Sequence, residues 1–148
     1  MKKKLLVRTC IFGGIIVIAG AVMLFGGAKT KSSDIVRLFF SRIGERRAAS
    51  AISLMSPSLV GDKNQKQAWL AHFKALQSVK VKDIKPENPA GWSNDKHVYK
   101  VTLDVQVKPE AANAPIPNYG WENGVNIRWI ALMKSDGLWK ISEIATGP

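Results

Sequence analysis

The chain has 148 residues, with 22 Lys and Arg against 11 Asp and Glu, a net charge of +11 and a single cysteine. One thiol excludes an intramolecular disulfide and a cysteine-based metal centre, and two histidines without Asp or Glu at ligand spacing leave no metal site to expect. The cationic excess persists without Lys2, Lys3, Lys4 and Arg8, and it favours anionic surroundings such as lipid headgroups, wall polymers or nucleic acid. The charges are scattered rather than clustered, so plain solubility is the simpler use for most of them.

Residues 10–28 form a run with no charge, as long as the roughly 20 residues that span a hydrocarbon core. Lys2, Lys3 and Lys4 supply a positive flank, which places the N-terminus inside and the rest of the chain outside. Gly26, Gly27 and Ala28 also suit a signal peptidase, and cleavage there would give a secreted domain. The run is longer than a signal core of about 7–15 residues, so an anchor is the preferred reading. Cys10 precedes the apolar stretch and follows Arg8 and Thr9, the wrong order for a lipidated N-terminus. The expected organisation is a basic cytoplasmic tail over 1–9, an anchor or uncleaved signal over 10–28, a tether over 29–33 and one domain over 34–148. That leaves about 120 residues, an ordinary domain size.

Ser33 or Asp34 offers a helix cap, after which Ile35, Leu38, Phe39 and Ile43 recur on one helical face until Gly44. A second short helix turns Ala48, Ala49, Ile52 and Met55 inward and stops at Ser56-Pro57. Asn64 with Gln67 resembles a capping box for a third helix, whose buried stripe is Trp69, His72, Phe73 and Leu76. The pattern then becomes strands at 79–84, 97–107, 125–133 and 139–144. In the second of these, Tyr99, Val101, Leu103, Val105 and Val107 alternate with polar residues, as a strand with one wet face does. Ser135, Asp136 and Gly137 predict a tight hairpin between the last two strands. The segment 109–124 is long for a hairpin connection and rich in Pro, Asn and Ala. The fold class is therefore α+β: an N-terminal transmembrane helix, then three helices packed in the concavity of a curved antiparallel sheet of about four strands.

The helical runs from Ile35 to Ile43 and from Ala48 to Pro57, the helix carrying Trp69 and Phe73, and the ending Gly137-Leu138-Trp139-Lys140-Ile141 together resemble the nuclear transport factor 2-like (cystatin-like) superfamily, in particular its small exported, membrane-anchored bacterial members. The resemblance covers about residues 33–148 and implies a cone with a cavity between helices and sheet. It implies little about activity, because that fold hosts enzymes, ligand binders and bare scaffolds.

Enzymes of that superfamily place Asp, His or Tyr inside the cone, where the candidates here are His72, His97, Tyr99 and Asp104. His97 and Tyr99 share the apolar phase of their strand and Asp104 has the opposite phase, so no dyad forms along it. His72 is expected to be a hydrogen-bonded structural histidine, and no catalytic residue is assigned. Trp69, Trp129 and Trp139 fall on expected core faces, whereas Trp92 and Trp121 lie in loops, Trp121 beside Tyr119. Trp121 either caps a cavity or folds back over the sheet. The ligand or partner candidates are Trp69, His72, Phe73, Tyr99, Tyr119, Trp121 and Trp129, and Arg42, Arg46 and Arg47 are candidates for an anionic surface.

The expected function is a membrane-anchored extracytoplasmic domain that binds a ligand or partner, with no catalysis and no cofactor. The alternatives are a scaffold subunit of a type IV secretion or other envelope complex, and a small-molecule isomerase or cyclase. Partners are the lipid bilayer through residues 10–28 and an envelope protein or small molecule. No nucleic-acid partner is expected, since no phosphate loop or aromatic platform appears.

Overall fold

The computed structural model describes residues 30–111 and 120–148; the expected membrane segment and Tyr119 lie outside the described residues. Among the described residues no helix is long and apolar enough to cross a membrane. Four helices come first: α1 (Ser32–Gly44), α2 (Ala48–Ile52), the single turn α3 (Pro57–Val60) and α4 (Lys63–Lys74). Four strands follow, β1 (Leu76–Pro86), β2 (Lys96–Val107), β3 (Gly124–Ser135) and β4 (Leu138–Ala145), paired in that order as an antiparallel meander. This is the expected α+β order, with one short helix more than the sequence predicts. Pro57, read as a stop, instead opens α3, whose N-cap Ser56 accepts from the Leu59 amide.

The core lies between the helices and one face of the sheet. Helix α1 contributes Val36, Phe39, Phe40 and Ile43, each no more than 2% exposed. Leu38, expected inside, is 36% exposed and Ile35 only partly buried. Apolar residues crowd positions 35–40, so two overlapping stripes fit helical spacing and only packing selects between them. From the sheet, Val101, Leu103 and Val105 on β2, Ile130 and Leu132 on β3, and Ile141 on β4 are fully buried. Burying each such side chain contributes roughly 1.5–3 kcal/mol. Helix α4 adds Trp69, His72 and Phe73 as expected, but its capping box is Asp62 with Gln65. In α2 the inward residues are Ala48, Ala51 and Ile52, while Ala49 faces solvent.

Two local geometries set the framework. The β3–β4 turn has Asp136 at φ 50° and Gly137 at φ 77°, the left-handed pair of a two-residue hairpin. Gly44 ends α1 because of a close approach: a Cβ there would sit 2.6 Å from the Val79 carbonyl oxygen of β1. The left-handed residue of that connection is Arg46, at φ 62°. Gly44→Ala should therefore force α1 and β1 apart and cost about 1–3 kcal/mol, the range for overpacking. Urea melts of residues 30–148 measure it, and an unchanged midpoint would contradict the close approach.

Candidate functional site

Among the described residues, aromatic rings pack the space between helices and sheet. Phe39 meets Phe40 and Phe73 edge-on at centroid distances of 5.1 and 5.6 Å, and Trp69 stacks on Phe73 at 5.4 Å. His72, 3% exposed, accepts a hydrogen bond from the indole N–H of Trp121. Trp121 is itself only 3% exposed, and the Arg128 guanidinium lies 4.1 Å from its ring centroid. Arg128 donates to the carbonyls of Ile127 and Gly120, which fixes the chain as it returns to the sheet. Burial lowers the Arg128 pKa and nearby Glu122 opposes that shift. Asn126 ties the same return by bonding Glu122 and Gly124. Trp121 thus folds back into the core.

That placement corrects the assignment of Trp129 to the core. On β3 the inward residues are Asn126, Arg128, Ile130 and Leu132, and Trp129 points to the other face of the sheet. The second half of β3 is apolar on both faces, which hides the phase; the charged Arg128 lies inward because Trp121 covers it. Trp129 floors an outer-face hollow of about 300 Å³, walled by Trp92, Val98 and Ala131 and rimmed by Glu87, Glu143 and Lys96. Lys100 Nζ lies 5.3 Å from the Trp129 ring centroid. Neither Glu87 nor Glu143 takes part in an ion pair among the described residues.

A third cluster joins the start of α1 to the start of β2. His97 is sandwiched between Trp92, at 4.1 Å, and Trp139, at 4.4 Å. Its Nδ1 lies 2.6 Å from the Ser32 hydroxyl, which is also 2.8 Å from the Tyr99 hydroxyl. With a neutral imidazole accepting at Nδ1, both hydroxyl protons are satisfied if Tyr99 O–H donates to Ser32 Oγ and Ser32 O–H donates to Nδ1. A Ser–His contact is also the arrangement of an activated nucleophile. Here Ser32 is 3% exposed, so its hydroxyl is closed to solvent. The sequence offered no signal for Ser32, because a serine in a polar tether reads as linker.

The other sequence candidates are scattered. Asp104 lies on the outer face and pairs with Lys82 at 3.7 Å. Arg42 and Arg47 share Glu45 at 3.5 Å each, beyond the middle of α1. Trp139 is half-buried on His97 rather than deep in the core.

No protein-family model matches the chain, and no curated protein matches it. Among solved structures it is similar to a Campylobacter jejuni protein provisionally assigned as an NTF2-like transpeptidase. The identity is 12% and the TM-score 0.45, over 77% of this chain and 99% of that one. The described fold is α+β, four helices followed by a four-stranded antiparallel meander.

Two measurements check these assignments. Trp121→Ala should cost about 3–5 kcal/mol, as deletion of a buried large aromatic does, and Trp129→Ala about 1 kcal/mol. Equal losses in urea melts would return Trp129 to the core. The His97 pKa is lowered from 6.5 by desolvation first and by Lys134 second, with the Ser93 backbone pulling the other way. A lowered pKa means the unfolded chain binds the proton more readily, so stability is full above about pH 6.5 and declines as pH falls through the folded value. Thermal melts should show that decline and lose it in His97→Gln, and a stability independent of pH in this range would contradict it.

Proposed function

We propose that the chain is a membrane-anchored, extracytoplasmic binding domain that holds its ligand on the outer face of the sheet and performs no catalysis. The observation that carries this reading is the state of the interior. His72 and Tyr99, the acid–base candidates of the cone, are 3% and 6% exposed and hydrogen-bonded to Trp121 and Ser32. An isomerase or cyclase needs such groups within reach of a bound substrate. The concavity around Trp129 lies on the opposite side of the sheet, where an aromatic floor and two carboxylates outside any described ion pair suit an organic cation or a partner's basic side chain. Lys100 over the same ring is the chain's own example of that attraction.

The scaffold alternative draws support from the rest of that face. Val125 is 73% exposed, Ile127 38% and Met133 50%, in phase with Trp129 along β3. Such a row fits a protein partner better than a small molecule.

Anchoring rests on residues 10–28 and is tested by topology. Alkaline phosphatase fused after Pro148 should be active, and a cytoplasmic fluorescent reporter at the same point dark; the opposite pair would reverse the orientation. The hollow is tested with choline as the probe. Amide spectra of residues 30–148 should shift at Val98, Ala131 and Glu143 with choline and stay still with acetate. The shifts should vanish in Trp129→Ala. Silence toward choline would remove the cationic ligand and leave the protein-docking alternative.

A further inference from the structure

Ser32 fixes the corner at which the chain enters the domain. Its hydroxyl is held by His97 and Tyr99, and the end of β2 that carries His97 pairs with β3 beside the hairpin turn, His97 opposite Leu132 and Lys96 opposite Met133. Thr30 and Leu138 accordingly line one hollow of about 530 Å³, together with Lys134, Trp139 and Lys140. Thr30 is two Cα–Cα steps from Ala28, the last residue of the apolar run, a span of at most about 7 Å. Whatever the tilt of α1, the β3–β4 tip therefore stands beside the point where the chain leaves the bilayer.

The tip is built unlike an ordinary solvated turn. Leu138 is 63% exposed and Met133 50%. Lys96, Lys134 and Lys140 stand beside them, and Lys29 and Lys31 precede the corner. Against these stand Asp95, which pairs with Lys134 at 3.4 Å, Asp136 in the turn and Asp34 in the first turn of α1, so cations are in excess. Lys140 is held by the Ser53 carbonyl at 2.7 Å, which keeps the base of the tip on the helical layer. Arg42 is ten residues along α1 from Ser32, about 15 Å of helix, and so more than a Debye length of about 8–10 Å from that corner.

We infer that the β3–β4 tip is the membrane-contacting surface of the domain. Leu138 and Met133 enter the interfacial layer of an anionic bilayer, and Lys134, Lys140 and Lys96 face its headgroups. This rests on the anchored reading above. The interfacial layer is roughly 5–7 Å deep on each side, which matches a tip held within a few residues of the membrane segment. Because the anchor supplies the encounter, weak contacts are enough to hold the domain down.

The test uses the full chain with Cys10→Ser, labelled with an environment-sensitive fluorophore at Leu138→Cys and, separately, at Lys108→Cys at the opposite end of the sheet. Both are reconstituted into phosphatidylcholine vesicles with and without phosphatidylglycerol. In anionic vesicles the label at 138 should shift to the blue and be quenched by nitroxide lipids, while the label at 108 stays open to iodide. Neutral lipid or high salt should reverse the effect. Lys134→Ala and Lys140→Ala should each lower the docked-to-free ratio about five-fold, the equivalent of roughly 1 kcal/mol per surface cation. A label at 138 as open to iodide as that at 108 overturns the inference, and so does quenching indifferent to anionic lipid. Carbonate extraction separates the two failures: a chain that washes off removes the anchored reading and this one together, whereas a retained chain with an aqueous tip removes this one alone.

Discussion

Helix α1 is fixed at both ends, and most of the molecule follows from that. At its start, a buried serine hydroxyl is shared between an imidazole and a phenol on β2. At its finish, a glycine lies so close to the β1 carbonyl at Val79 that no side chain fits. A helix held at two points has one rotation left about its own axis, and here Val36, Phe39, Phe40 and Ile43 face the sheet. Those four residues then decide what else can occupy the interior. Two phenylalanines from α1 meet Phe73 from α4 in the core between helices and sheet.

The concavity around Trp129 lies on the other side of the sheet from the aromatic core. On the inner face the polar side chains are engaged within the fold: His72 by Trp121, Asn126 by the loop carbonyls, and Arg128 by carbonyls and an indole face. Groups so engaged hold their neighbours in register and offer little to a solute. The outer face is built the opposite way, with Trp129 under a hollow, carboxylates at its rim and an apolar row running along β3. The same strand thus carries structure on its even positions and exposed surface on its odd ones.

How much of this was legible depended on whether a signal was periodic or pairwise. Strand β2 was readable because five apolar residues alternate strictly with polar ones, and its phase correctly separated Asp104 from His97 and Tyr99. The hairpin was readable because Asp-Gly demands two left-handed residues. Helix α1 was readable as an element but not in its rotation, since its apolar residues are too many for one stripe. The outward placement of Trp129 was hidden, and the choice between the two readings of Trp121 left open, for a related reason. A strand apolar on both faces has no phase, and a loop tryptophan shows its burial only when its partners, His72 and Arg128, are found across the fold. Ser32 could not be read at all: its role depends on two residues more than sixty positions away.

The same serine ties the outer hollow to the start of α1. Trp92 walls the hollow and stacks face to face on His97, and His97 holds Ser32, the first residue of the helix that follows the tether. Trp139 closes the other face of that imidazole and lines the hollow shared by Thr30 and Leu138. One imidazole therefore sits between the wall of the outer hollow and the corner at which the chain arrives. Its neutral state is favoured by desolvation and by Lys134, and Lys134 lies over Trp139 at 4.9 Å. The residues that fix the start of α1 and those that shape the outer hollow are thus partly the same residues. A substitution at His97 would be felt in both places, which no change at Trp129 or Leu138 alone would do.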